Sequence, residues 1–294
     1  MKVADVAPAS PEMATKGRAF GGSSPGDMFL KARMVLVTRP AVQAEALVRE
    51  IAAAGGEAVR FPTLDIEALA ADEALDRVLR RLGKFDLVVF VSHNAALQAQ
   101  ARCVELGLPG LAVVRRAAAP GPGTAAALTA LGGADVLVPA HRFDSEGMID
   151  VLVERAIAPA SVLILRGTGS SQQDAEGSGR ELIAQWLRQR GAAVESIACY
   201  RRRRVAAPPA QIAALLARPP ADAIVISSSE GGEALVALLG GAGLAWLAAS
   251  VIFVPHSRIA ARMRTFGLVN VRVTAGGDAG IMRGLFEHFR AQSN

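Results

Sequence analysis

A single tyrosine, Tyr200, stands in a chain of 294 residues, and four consecutive arginines, Arg201 to Arg204, follow it. A phenol beside guanidinium groups can give a proton or a hydrogen bond to a negatively charged or departing oxygen. Alternate residues of a strand share a face, so at most Arg202 and Arg204 lie on Tyr200's side. A second set is built of hydroxyls: Ser92, Thr124, Ser228 and Ser257, each placed just ahead of a stretch with helical patterning. Ser92 closes Phe85-Asp-Leu-Val-Val-Phe-Val-Ser92 and Ser228 closes Ala221-Asp-Ala-Ile-Val-Ile-Ser-Ser228, a faint internal repeat. Thr124 ends Pro120-Gly-Pro-Gly-Thr124, and Ser257 ends Val254-Pro-His-Ser257. Helix N-termini offer free N–H groups and partial positive charge, which suits carboxylates or phosphates. The plain alternative for each hydroxyl is an N-cap and nothing more. Thr38, Arg39, Arg166 and Ser227, all at the ends of apolar runs, complete the candidate anion-binding set. A buried arginine there without an anionic partner would be costly.

Other chemistries find no footing. The histidines His93, His141, His256 and His288 show no i, i+4 pair, and Cys103 and Cys199 form no Cys-x-x-Cys. This predicts no metal site and no disulfide scaffold, and fits a reducing cytoplasm. No spacing suggests Ser/His/Asp, Cys/His or a carboxylate dyad. Leu165-Arg-Gly-Thr-Gly-Ser-Ser171 lacks the Gly-Lys-Ser/Thr of a phosphate loop; residues 167–179 read better as a mobile loop able to cover a cleft. The net charge of +5 is modest. It suits an anionic small molecule at least as well as nucleic acid, and the arginine run lacks interleaved aromatics or a basic helix.

The elements that must hold these residues alternate short apolar runs with amphipathic stretches, the pattern of an α/β fold with parallel sheets. Strands are predicted at 35–38, 57–61, 87–91, 111–118, 136–138, 162–165, 194–199, 223–226, 251–254 and 269–273, with an extended connector at 63–69 and a last helix over 279–289. Residues 34–62 have too few strands for a sheet of their own, and so does the tail from 204. The economical solution joins them. It gives two doubly wound, five-stranded parallel-sheet domains: a discontinuous one (34–62 and 204–294) and a continuous one (70–197). Linker strands at 63–69 and 198–203 connect them, so Tyr200 faces the cleft between lobes. Residues 1–33, rich in Ala, Gly, Ser and Pro, are expected to be a disordered extension, with no apolar core of a signal peptide. The uncharged stretch Ala234–Pro255 reads as helix, loop, short helix and buried strand, not as a membrane span.

Taken in order, Met34-Val-Leu-Val-Thr-Arg-Pro40, Phe61-Pro-Thr-Leu-Asp-Ile-Glu67, Phe90-Val-Ser92, Gly121-Pro-Gly-Thr-Ala125, Leu165-Arg-Gly167, Gly179-Arg180, Cys199-Tyr-Arg201 and Ser227-Ser228 resemble the uroporphyrinogen-III synthase family. The resemblance covers residues 34–290. It implies a cofactor-free lyase reaction on hydroxymethylbilane, a linear tetrapyrrole with eight carboxylates. The terminal hydroxyl leaves, ring D attacks through its substituted carbon, and a spiro intermediate fragments and recloses with ring D inverted. It implies that Tyr200 assists loss of the hydroxyl and that Ser92, Thr124, Ser228 and Ser257 line a cleft that binds largely through backbone N–H groups. It further implies a cytoplasmic monomer in transient contact with the upstream hydroxymethylbilane synthase. The sequence departs from the family at Pro255-His-Ser-Arg258, where many members have Gly-Pro-Thr-Thr. On the residues alone two alternatives stay open: a non-catalytic two-lobed binder of an anionic small molecule, and a nucleic-acid-binding protein using Arg201–Arg204.

Overall fold

The computed structural model describes residues 28–69, 72–169 and 179–291. The expected disordered extension lies outside these in its residues 1–27, and the expected mobile loop does so in residues 170–178. Residues 28–33, assigned to that extension on composition, are instead packed: Leu30 is fully buried, and the Phe29 ring meets Phe286 edge-on at 5.2 Å.

In chain order the first half runs β1 (Met34–Val37), α1 (Ala41–Ala53), β2 (Glu57–Arg60), β3 (Leu64–Ala68), α2 (Glu73–Leu79), β4 (Leu87–Phe90), α3 (His93–Glu105), β5 (Ala117–Ala118), α4 (Pro122–Ala130), β6 (Val136–Leu137) and α5 (Ser145–Glu154). The second half runs β7 (Ser161–Thr168), α6 (Gly179–Gln189), β8 (Ala193–Arg204), α7 (Pro209–Leu216), β9 (Ala223–Val225), α8 (Ser229–Ala248), β10 (Val251–Val254), α9 (Ser257–Arg264), β11 (Val271–Val273) and α10 (Gly277–Arg290).

A run apolar at every position is stable as a strand only where both sheet faces are covered, and β1 and β4 are such runs. β1 lies inside a parallel sheet of order β11-β10-β9-β1-β2. Its Val35 and Val37 face the cluster made with α1 and α10, while Met34 and Leu36 face the cluster made with α7, α8 and α9. β4 lies inside a second sheet of order β3-β8-β7-β4-β5-β6. Val88 and Phe90 pack toward α2, α3 and α4, and Leu87 and Val89 toward α5 and α6. Both sheets are therefore wound on both sides, as expected for an α/β fold. In the first, the helices after β1 and β9 leave to opposite faces; in the second, those after β4 and β7 do. Each such point opens a crevice at the carboxyl ends of its two strands.

Three local expectations are revised. The predicted strand 111–118 is a 3-10 turn over Gly110–Val113 followed by the two-residue β5. Leu111 and Val114, three apart, both reach the same core cluster, so the periodicity is that of a turn. The 63–69 linker strand is β3, and by pairing antiparallel with Tyr200–Arg204 it gives the second sheet six strands where five parallel ones were expected. β8 itself continues unbroken through Arg204, so the strand predicted to stop at 199 and the following linker are one element. One helix among the described residues, α8, is long and apolar enough to cross a membrane. It breaks at Gly240, whose φ is 61°, and Leu235, Leu239 and Leu247 are buried in the core of the first sheet.

Candidate functional site

The crevice between β4 and β7 opens into a cleft of about 790 Å³. Val91, Ser92 and Pro120 form one wall, α5 and α6 another, Tyr200 and Arg202 the side along β8, and His256 and Arg258 arrive from the other sheet's α9. Helices α3, α5 and α9 begin with residues that line it, and α4 begins just after Pro120; the first turn of a helix carries backbone N–H groups without intrahelical partners.

Tyr200 is 2% exposed, and its hydroxyl oxygen stands 2.9 Å from Ser92 Oγ. Ser92 also caps α3 by accepting the Ala95 N–H at 3.2 Å. The strongest candidate and one of the four hydroxyls thus meet. Thr124 is the third residue of α4, buried behind a cap supplied by Gly121, with Pro122 in the first helical position. Ser228 caps α8, accepting the Gly231 N–H at 3.0 Å. Ser257 is exposed at the start of α9; the cap there is His256, whose Nδ1 accepts the Arg258 N–H at 3.0 Å. Among the described residues, Ser92 and Tyr200 are the members of the candidate set that line the cleft.

The expected anion-binding residues have other partners. Thr38 Oγ1 donates to the Val225 carbonyl at 2.8 Å, tying β1 to β9. Arg39 Nε donates to Ser227 Oγ at 2.7 Å, and its guanidinium pairs with Asp278 at the start of α10. Arg166 Nε donates to Ser196 Oγ at 3.3 Å, along the neighbouring strand. Three of the four arginines in the run likewise have carboxylate partners, so the run does not leave the rim simply basic. Arg202 pairs with Glu230 at 2.5 Å, Arg203 with Glu67 and Asp65 on β3, and Arg204 lies 3.9 Å from Glu233. Arg202 and Arg204 meet α8 on Tyr200's side, as strand alternation requires.

Several cleft residues went unread in the sequence: Phe143, Asp144, Glu146, Glu181 and Leu182, with His256 and Arg258. Asp144 did carry a signal, an N-cap residue ahead of an apolar stretch. It accepts the Gly147 N–H at 2.9 Å. Burial pushes its carboxyl up, but that hydrogen bond, Arg142 and His256 outweigh it and hold the group below the usual range. Burial raises the Cys199 thiol to about 12, so this neighbour of Tyr200 is no nucleophile. Among the described residues no group of His, Cys, Asp and Glu is arranged to hold a metal.

Residues 45–278 match the family described as uroporphyrinogen-III synthase HemD. The chain belongs to the uroporphyrinogen-III synthase family. Uroporphyrinogen-III synthase of Salmonella typhimurium is 35% identical over 168 residues, 57% of this chain and 64% of that protein. The Escherichia coli enzyme is 32% identical over 173 residues, again 57% and 64%. The aligned part thus spans just under two thirds of the length of these relatives. Among solved structures, a mutant uroporphyrinogen III synthase from Thermus thermophilus matches with a TM-score of 0.55 at 18% identity, over 88% of this chain and 99% of that one. Uroporphyrinogen-III synthetase from Helicobacter pylori matches with 0.52 at 11%, over 89% and 100%. These two likenesses show a shared fold.

Proposed function

We propose that this family member is itself a uroporphyrinogen-III synthase: a lyase that closes hydroxymethylbilane to uroporphyrinogen III, with loss of water and inversion of ring D. The observation that carries the reading is the Tyr200 hydroxyl, held against Ser92 inside a cleft large enough for a folded polypyrrole. In this reading the phenol gives its hydrogen to the oxygen leaving the terminal hydroxymethyl carbon, so that the C–O bond breaks to release water. The azafulvenium cation left behind is captured by the substituted carbon of ring D. The spiro intermediate fragments and recloses, and loss of a proton from the ring-D side restores the pyrrole.

Charge accounting supports backbone binding of the eight carboxylates. The cleft's side chains include Arg202 and Arg258 but also Asp144, Glu146 and Glu181, and Arg202 is already paired with Glu230. The helix starts at α3, α4, α5 and α9 supply donors that need no counter-ion to be buried with them. Ser92, Thr124 and Ser257 enter the proposal as residues of such helix starts and Ser228 as the cap of α8, while Thr38, Arg39, Ser227 and Arg166 support the crevice walls. In this reading Asp144, a lining residue whose carboxyl is held below the usual range, supplies a counter-charge to a transiently cationic pyrrole.

The reading divides the chain into units 34–62 with 204–294 and 70–197, meeting at 63–69 and 198–203. One contact that joins them is the hydrogen bond that Gln43 donates to Asn94. An open bilane closes by itself to the type I ring, which favours direct, transient receipt from hydroxymethylbilane synthase by a cytoplasmic monomer. Turnover is the test. Freshly made hydroxymethylbilane, with no metal or nucleotide added, should disappear well above its spontaneous rate. An unchanged rate with tight binding would favour the two-lobed binder of an anionic small molecule instead.

A further inference from the structure

Tyr200 reaches the cleft through a local irregularity. β7 and β8 run in even register from Ser161↔Ala193 to Arg166↔Ala198, and then the partners become Gly167↔Tyr200 and Thr168↔Arg201. Cys199 is the extra residue, a bulge in β8. Alternation reverses there, so Cys199 and Tyr200, adjacent in sequence, are both buried against the same cluster. Without the extra residue Tyr200 would point to the face opposite Cys199, because a one-residue slip exchanges the faces of a strand.

The ring then lies across β7 directly on Gly167. A Cβ built on Gly167 would stand 2.4 Å from Cζ of Tyr200, 2.5 Å from Cε2 and 2.8 Å from the hydroxyl oxygen. Gly167 is not among the residues of positive φ. Closeness of the ring, and not backbone conformation, is what requires glycine. At the same hydroxyl end of the phenol, Ser92 Oγ accepts the Ala95 N–H and lies 2.9 Å from the tyrosine oxygen. A serine hydroxyl has one proton to donate. The geometry allows either oxygen to donate; in the arrangement proposed below Ser92 donates, its hydroxyl polarised by the Ala95 N–H that it accepts at the start of α3, and the phenol's own proton is left for the cleft.

We propose that Gly167 and Ser92 are positioning residues for Tyr200: the glycine seats the ring, and the serine turns the hydroxyl so that its proton is presented to the cleft. This rests on the reading of Tyr200 as the group that assists departure of the bilane hydroxyl. Both residues act through the phenol.

Tyr200 is the only tyrosine, so the full chain labelled with tyrosine carrying 13C at Cζ gives one resonance that reports the phenol without any turnover. Gly167→Ala should move that resonance toward the value of free tyrosine and lower kcat by tens- to a hundredfold, the low end of general-acid assistance. In a Tyr200→Phe background the same substitution should cost less than about threefold, because no hydroxyl remains to be misplaced. Ser92→Ala should shift the resonance and lower kcat roughly two- to tenfold, and Ser92→Thr, which keeps a hydroxyl, should recover most of both. If Gly167→Ala does not fold, the two Ser92 variants carry the test. An unmoved resonance in Gly167→Ala, or in Ser92→Ala, overturns the proposal. So does an equal loss of kcat with and without the Tyr200 hydroxyl. Should the wild-type protein fail to turn over bilane, the functional reading falls separately: a moved resonance still supports the seat, and an unmoved one still overturns it.

Discussion

Substituting Glu230→Gln tests what the arginine run does. Arg202 lines the cleft, but its Nε lies 2.5 Å from Glu230 Oε2, with side chains only 21% and 13% exposed. At charge separations of about 4 Å and an effective dielectric of about 20, the gross attraction is about 4 kcal/mol. Desolvation of two largely covered charges offsets part of it. The net coupling should lie above the roughly 0.2–1 kcal/mol of exposed pairs and below the roughly 3–5 kcal/mol lost when a fully buried pair is broken, at about 2 kcal/mol. In a chain of 294 residues that lowers the thermal midpoint by about 3 °C. A double-mutant cycle with Arg202→Met isolates the pairwise share. Glu230→Gln also leaves Arg202 un-neutralised beside the proposed polyanion site, so product affinity, measured by calorimetry, should rise by up to about tenfold. A coupling below about 0.3 kcal/mol with unchanged affinity would refute the reasoning, because the pair would then behave as a screened surface contact.

Burial raises the thiols of Cys199 to about 12 and Cys103 to about 11, so neither should react with a thiol reagent at about pH 8 in the native protein, while both react in denaturant. His288 has its value lowered by burial, then by Arg272 and Arg33. The unfolded chain therefore takes up the proton first as pH falls below about 6.5, and stability present above that pH is lost on acidification; His288→Phe, read by thermal midpoints between about pH 7 and 5, should flatten this slope. Ser228→Ala removes the acceptor of the Gly231 N–H and should cost about 1 kcal/mol by denaturant titration.

The two-sheet plan was legible because strands such as β1 and β4 are apolar throughout, and only coverage of both faces explains that. The strand predicted over 111–118 misled because Leu111 and Val114 are apolar at turn spacing, which a window average does not separate from a strand. The commitment of Arg39 was not readable: its partner Asp278 is 239 residues away, and nothing local to either residue announces the pair. The bulge at Cys199 was equally hidden, since it is a relation between β7 and β8 and leaves no mark on β8 alone. The sequence placed Tyr200 at the cleft; it did not say why an adjacent cysteine and tyrosine should both turn inward. The cap at α9 went to His256 because an imidazole nitrogen can accept a backbone N–H as a serine oxygen does, and hydroxyl counting overlooks it.

The central claim is that this cleft steers ring closure through inversion of ring D. Its most direct test is the identity of the product isomer. Hydroxymethylbilane is added to protein at about one part per thousand, the porphyrinogen is oxidised, and the isomers are separated and quantified. The account predicts mainly type III, and still type III, more slowly, from Tyr200→Phe. Type I alone, formed at the rate seen without protein, would contradict it.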